Sequence, residues 1–371
     1  MWGKRKTPRR SAGGDEDPAI PIVLARDNPW GVDVFDVRPL TQTRLSLTTS
    51  SQIAANAVSY GGEDGRVFLE QEPETGDVCD GVLVYRRDRV LADGPLFLPE
   101  RMEHKWAVFR GNARVLFVRS WLRKVMAVAD VAQSGDEIRI GPVRGTFLGP
   151  DAEPGFSLRV ADFILRSHAL REVLPAPLPA SPTLDGGAAA DYCMSAFGTF
   201  AYFATSTPIP RSVPARPLRS HSMLHIAVAR GELAEIERLL DASLPIDLLA
   251  ADGLPPLPWG RASGGNQVLD CLLARGCPVD VRSEEGATAL MTEVQKERPA
   301  RVEYLLSHGA DVNARDVRGF TALHRVAGLG KRLEVERLLG AGADPHAVAE
   351  GHTPRSLAER GGHAQIAAML P

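Results

Sequence analysis

Leucines recur in pairs along the second half of the chain: Leu239 and Leu240, Leu272 and Leu273, Leu305 and Leu306, Leu338 and Leu339, each pair 33 residues after the last. An ordinary amphipathic bundle has no reason to hold one register across four doublets, so the spacing predicts a stacked helical repeat. The glycines Gly253, Gly286, Gly319 and Gly351 keep nearly the same step. In the complete unit from Asp316 to Val348, Thr321 is placed to cap a first helix, Leu323 points into the stack and Gly330 ends the helix in a left-handed turn. A second helix buries Val335, Leu338 and Leu339, Gly342 closes it, and an extended hairpin leads to the next unit.

The first half has another texture. Val82 to Tyr85, Trp106 to Phe109, Arg114 to Val118, Val125 to Val131 and Glu137 to Ile140 are short runs of Val, Ile and aromatic residues. Turn residues such as Arg110-Gly111-Asn112 and Ser134-Gly135-Asp136 separate them, which predicts an antiparallel meander. Helices are expected at 50–62, capped by Ser50 and stopped by Gly61, and at 156–174, where Leu158, Ala161, Ile164, Leu165 and Leu170 share one side. The expected class is an α+β domain, an antiparallel sheet with about two helices, followed by an all-α solenoid.

Proline marks the joints, since it removes a backbone donor and stiffens the chain. LPAPLPASP at 174–182 and TPIPRSVPARP at 207–217 divide the sequence. The expected organisation is a basic then acidic tail at 1–18, the α+β domain at 19–175, a Pro-rich linker at 176–218 holding an apolar segment at 188–204, and about five repeats at 219–371. The apolar segment is expected to pack on the first repeat or on the α+β domain, because a terminal repeat needs a cap.

GADVNARDVRGFTALH, 309–324, resembles the ankyrin repeat, whose signature opens G-x-T-P-L-H and closes G-A-D-V-N-A. SMLHIAVARGELAEIERLL, in the first unit, follows the same pattern. Unit two departs from it with Pro255 and Pro258, and unit three with Met291 for the His and Glu297 for the helix-ending Gly. The resemblance implies a module that binds a protein partner through a concave face of hairpin tips and first-helix edges. Carried over position by position, that face contains Arg282, Glu285, Arg315, Arg318, Phe320 and Leu329. Phe320, flanked by Arg318, is expected to project into water and to await a partner with an acidic rim around an apolar pocket.

Composition narrows the rest. With 44% apolar and 24% charged residues and a net charge of -3, the chain reads as an ordinary globular protein with no pull toward nucleic acid. The basic start passes into Ser, Gly, Asp and Glu where a secretory signal needs an apolar run, and the segment 188–204 is short for a membrane span and carries Asp191. A cytoplasmic protein with no membrane contact is expected. Cys79, Cys193, Cys271 and Cys277 form no C-x-x-C or zinc pattern, so they read as reduced thiols, and no metal or cofactor is signalled.

Arg110, Arg114, Arg119, Arg123 and Lys124, interleaved with Trp106 and Trp121, form a candidate anion-binding cluster. The plainer reading is a hairpin with charged solvent-facing positions and tryptophans packed into the sheet, because no phosphate-loop motif accompanies the charges. No residue set names a catalytic site. Two other readings remain: an enzyme or nucleotide sensor in the α+β domain whose targets the repeats deliver, and an inhibitor of a toxin or another enzyme. Sequence does not set the oligomeric state.

Overall fold

A computed structural model of the chain describes residues 19–46, 48–147, 155–180, 183–260 and 266–371. The expected tail at 1–18 lies outside the described residues. The strands are β1 (Ile22–Val23), β2 (Val34–Asp36), β3 (Val78–Cys79), β4 (Leu83–Arg86), β5 (Gly94–Phe97), β6 (Trp106–Gly111), β7 (Arg114–Arg119), β8 (Lys124–Ser134), β9 (Glu137–Gly145), β10 (Pro175–Pro177) and β11 (Phe203–Thr205). Between and after them come α1 (Arg38–Thr41), α2 (Ser51–Val58), α3 (Phe156–Ile164) and α4 (Gly186–Ala196).

The expected meander is the run β6 to β9, antiparallel throughout and extended by β5 at one edge. At the other edge β3 and β4 lie end to end along β9, with Val78 opposite Arg144 and Tyr85 opposite Ile138. Its strands are apolar on both faces because both are covered, which is why they read as runs instead of alternating. Trp106, Val108, Val115 and Phe117 face α3 and α4 with Phe163, Cys193 and Phe197. Ala107, Phe109, Leu116 and Val118 face the other way, onto Tyr60 and Phe68. The two tryptophans are satisfied inside the fold: Trp106 Nε1 donates to the Ala196 carbonyl at 2.8 Å, and Trp121 Nε1 to that of Met102 at 2.7 Å.

Several expectations are corrected. A second sheet, ordered β1-β2-β11-β10, stands beside the first. Its strands of two or three residues are too short to show a period. β10 contains two prolines and takes an edge, where missing donors cost little. α2 ends at Val58, short of Gly61, although Ser50 does cap it by accepting from the Ile53 amide at 3.3 Å. α3 continues into a π-helical turn, Leu165–Ala169, and stops there. Arg110 and Gly111 belong to β6, and the turn falls on Asn112 and Ala113, both left-handed at φ 52° and 56°. Within 176–218, α4 and β11 enter the core, where Ala176, Ala189, Cys193, Phe197, Ala204 and Leu218 are buried in one cluster with Trp106 and Phe163, while 206–213 stays largely on the surface.

The C-terminal region is helical: α5 (Met223–Arg230), α6 (Leu233–Asp241), α7 (Gln267–Ala274), α8 (Ala289–Gln295), α9 (Pro299–Ser307), α10 (Ala322–Gly328), α11 (Arg332–Gly340), α12 (Pro354–Arg360) and α13 (Ala364–Met369). These make helix pairs for units one, three, four and five. In unit two, three prolines at 255, 256 and 258 replace the first helix by the short 3-10 turn Leu257–Trp259, leaving α7 as the described helix of the pair. Each leucine doublet is asymmetric: Leu239, Leu272, Leu305 and Leu338 are 9%, 0%, 1% and 0% exposed, whereas their followers are only partly buried. Glu297 takes the left-handed conformation (φ 52°) that Gly330 takes in the next unit (φ 76°).

Residues 218–223 join the two parts by running along the segment 86–95. The amides of Leu218, His221 and Met223 donate to the carbonyls of Arg86, Pro95 and Asp93 at 3.0, 2.7 and 3.0 Å. Arg219 pairs with Asp88 at 2.7 Å and Glu284 at 2.9 Å, Arg230 with Asp64 at 3.0 Å, and Arg66 with Glu235 at 2.5 Å. The strand-rich region therefore covers the first unit, where a repeat stack needs a cap.

Candidate partner-binding site

The hairpin tips are shaped by local polar bonds. Asp316 Oδ1 accepts from the amides of Arg318 and Phe320, each at 2.9 Å, and Oδ2 from Arg325 Nη2 at 2.7 Å. Burial opposes ionisation of this carboxyl, but the Arg325 bond and the two amide bonds outweigh it and hold the pKa below the usual value. The turn is thereby fixed with Val317 and Arg318 projecting from it.

The start of the first helix in unit four is fixed by a Thr and a His. Thr321 Oγ1 accepts from the His324 amide at 3.4 Å, while His324 Nδ1 accepts from the Thr321 amide at 3.2 Å. His324 Nε2 then donates to the His352 carbonyl of the next unit at 3.2 Å. His225, in unit one, makes a similar bridge: Nδ1 bonds the Ser222 hydroxyl at 2.7 Å and Nε2 the Leu254 carbonyl of the next unit at 3.1 Å.

The expected partner-binding residues have differing situations. Arg282 and Arg315 are exposed, but their guanidinium groups bridge neighbouring tips: Arg282 Nη1 donates to the carbonyls of Gly286 (3.0 Å) and Arg315 (2.7 Å), and Arg315 Nη1 to those of Gly319 (3.2 Å) and Val348 (2.8 Å). Glu285 is exposed, and its carbonyl accepts from the Val317 amide at 2.9 Å. Arg318 pairs with Glu350 through Nε at 2.8 Å and lies over the Phe320 ring at 4.9 Å. Phe320 is half-buried between that guanidinium and the His324 ring, which meets it edge-on at 5.5 Å, so the expectation of a phenylalanine left in water is corrected. At the tips and the first-helix end of unit four, apolar side chains are exposed at Val317 (71%), Leu329 and Val348 (53% each); Leu333, at the start of α11, is 73% exposed.

The basic residues of the N-terminal region are not gathered into one cradle. Arg110 pairs with Asp93, Arg123 with Glu63 and Lys124 with Glu74. Arg114 donates to Glu72 at 2.5 Å and to the Leu69 carbonyl at 2.8 Å; Arg119 donates to the carbonyls of Ala196 and Ser195 at 3.0 and 2.5 Å. Strand alternation puts Arg114 and Arg119 on opposite faces of β7. Burial lowers the pKa of Arg119 to about 10.

Stacked helix pairs joined by extended tips define a helical-repeat protein in this half of the chain. Residues 259–349 match the family model of ankyrin repeats (3 copies). The pairs on either side of that match, α5 with α6 and α12 with α13, repeat its geometry. No curated protein matches the chain. Among the described residues, no helix is long and apolar enough to cross a membrane, and no three His, Cys, Asp or Glu side chains form a metal-binding group.

Proposed function

We propose that the repeat stack binds a protein partner through the tips and first-helix edges of units three to five, and that the strand-rich region acts through this docking. Ankyrin repeats are in general protein-interaction modules, and the reading for this chain is carried by one observation: Val317, Leu329 and Val348 expose apolar surface beside the Arg318–Glu350 pair. Unit one already has the strand-rich region against it, which supports placing the free surface toward the C-terminal end. Arg282, Glu285, Arg315 and Phe320 frame that surface; Val317, Arg318 and Leu329 form its contact points. The five basic residues at 110–124 already have acceptors within the chain and stand apart from this surface. We further propose a functional division near residue 218 and a cytoplasmic setting.

A photo-crosslinking residue placed at Val317 tests the reading against one placed at Glu336, on the exposed side of α11. In source-cell extract, a discrete protein adduct is expected from position 317 and none from 336. Equal adducts at both positions, or none at 317, would sink it.

A further inference from the structure

Where the strand-rich region meets the first two units, a cleft of about 1030 Å³ opens between β5, the π-helical turn after α3 and the start of the stack. Ligand pockets commonly measure about 300–1,000 Å³, so the space suits a small molecule. Two aromatic walls line it. On one side the Phe97 ring meets His168 edge-on at 5.0 Å, with Phe200 stacked behind His168 at 3.9 Å. On the other, His221 lies against Trp259 at 5.1 Å.

The polar groups of these walls are unfinished. The Ser167 hydroxyl donates to the Phe163 carbonyl at 2.6 Å, so its oxygen must accept from His168 Nδ1 at 2.8 Å, leaving His168 Nε2 as a bare acceptor. That nitrogen, His221 Nδ1 and Trp259 Nε1 are buried and find no hydrogen-bond partner among the described residues. Buried polar atoms are nearly always paired, so three lying just beneath the walls of one cleft leave bonds that a ligand completes once a side chain turns toward it.

Arg171 stands at the rim. Its guanidinium lies over Phe97 at 5.1 Å and Phe200 at 5.2 Å and makes no hydrogen bond or ion pair among the described residues. The other cations of the cleft are engaged: Arg216 pairs with Glu284 at 3.7 Å and Arg230 with Asp64 at 3.0 Å. Arg171 also holds a left-handed backbone (φ 59°) that glycine or asparagine would adopt at less cost.

We propose that this cleft binds a small planar aromatic molecule carrying an anionic group, with the ring between the two aromatic walls and the anion on Arg171. The probes are 1-anilinonaphthalene-8-sulfonate, its uncharged relative N-phenyl-1-naphthylamine, and inorganic sulfate, all used with the full chain. The sulfonate is expected to bind at one saturable site, and Arg171→Gly to weaken it at least about tenfold, the loss of one charge-assisted bond, without lowering the melting temperature, since glycine relieves the left-handed strain. Arg171→Asn, which tolerates the same backbone, should repeat that loss, and Arg355→Ala in unit five should leave binding as it was. The uncharged naphthylamine should bind at least about tenfold more weakly than the sulfonate and ignore both Arg171 variants. The proposal is overturned if either variant that folds binds the sulfonate like the unmodified chain, if the uncharged probe binds equally well, or if sulfate alone displaces the sulfonate at equal concentration.

Discussion

Arg282 donates to the carbonyl oxygen of Arg315 at 2.7 Å, and Arg315 repeats the gesture toward Val348 at 2.8 Å, 33 residues further on. The two guanidinium groups tie three successive hairpin tips together from outside the hydrophobic core. A side chain chosen for its exposure can thus hold the surface that presents its neighbours.

Arg315→Ala removes bonds to Gly319 and Val348, and at about 0.5–1.5 kcal/mol per hydrogen bond in general, discounted for exposure, a loss of about 1 kcal/mol in urea unfolding is expected. Arg282→Ala should behave alike. Arg318→Ala, whose ion pair with Glu350 is exposed, should shift the unfolding midpoint much less. If Arg315→Ala were equally silent, the bridge between tips would contribute nothing.

The leucine doublets make a paired test. Leu305 is 1% exposed and Leu306 only partly buried, so Leu305→Ala should cost about 2–5 kcal/mol and Leu306→Ala clearly less. Equal losses in denaturant unfolding would contradict the packing described.

Gly94 is left-handed at φ 139°, and an added Cβ would overlap the His221 carbonyl oxygen. Gly94→Ala should push the segment 218–223 away from β5, lowering the melting temperature and speeding proteolysis within 207–217. Gly231→Ala is the comparison: at φ 77°, with no atom within 4 Å of the new Cβ, it should cost only the left-handed strain of about 1–2 kcal/mol. A Gly94 variant no worse than the Gly231 one would mean that the junction yields freely.

His225 is fully buried, and burial, opposed by its bond to the Leu254 carbonyl, brings its pKa down to about 3. Its folded pKa lies below the ordinary value of 6.5, so the unfolded chain binds the extra proton between the two. Stability from this group is therefore complete above pH 6.5 and falls as pH drops toward 3, by about 1.4 kcal/mol per pH unit at most. His225→Gln should flatten that part of the curve of stability against pH, measured by urea unfolding from pH 7 to pH 4. A slope unchanged by the substitution would place the titration elsewhere.

Position along the chain was enough to read the stack, because a unit that touches only its neighbours must repeat its core residues at one spacing. Leu305, Thr321 and Gly330 could be given their roles from position alone, and so could the irregular second unit from its prolines. The meander was legible for the related reason that strands covered on both faces are continuously apolar. Features without a period depend on long-range packing. The second sheet is assembled from strands of two or three residues, and the segment 188–204 belongs to the N-terminal core because helix α4 finds Trp106 and Phe163 there. Phe320 is half-buried because Arg318 and His324 close on it, and Arg110 to Lys124 meet acceptors from distant segments, contacts that no local pattern encodes. The cleft was hidden for the same reason. Phe97, Arg171, His221 and Trp259 come from four separate stretches, and only the docking of the strand-rich region on the first units brings them to one space.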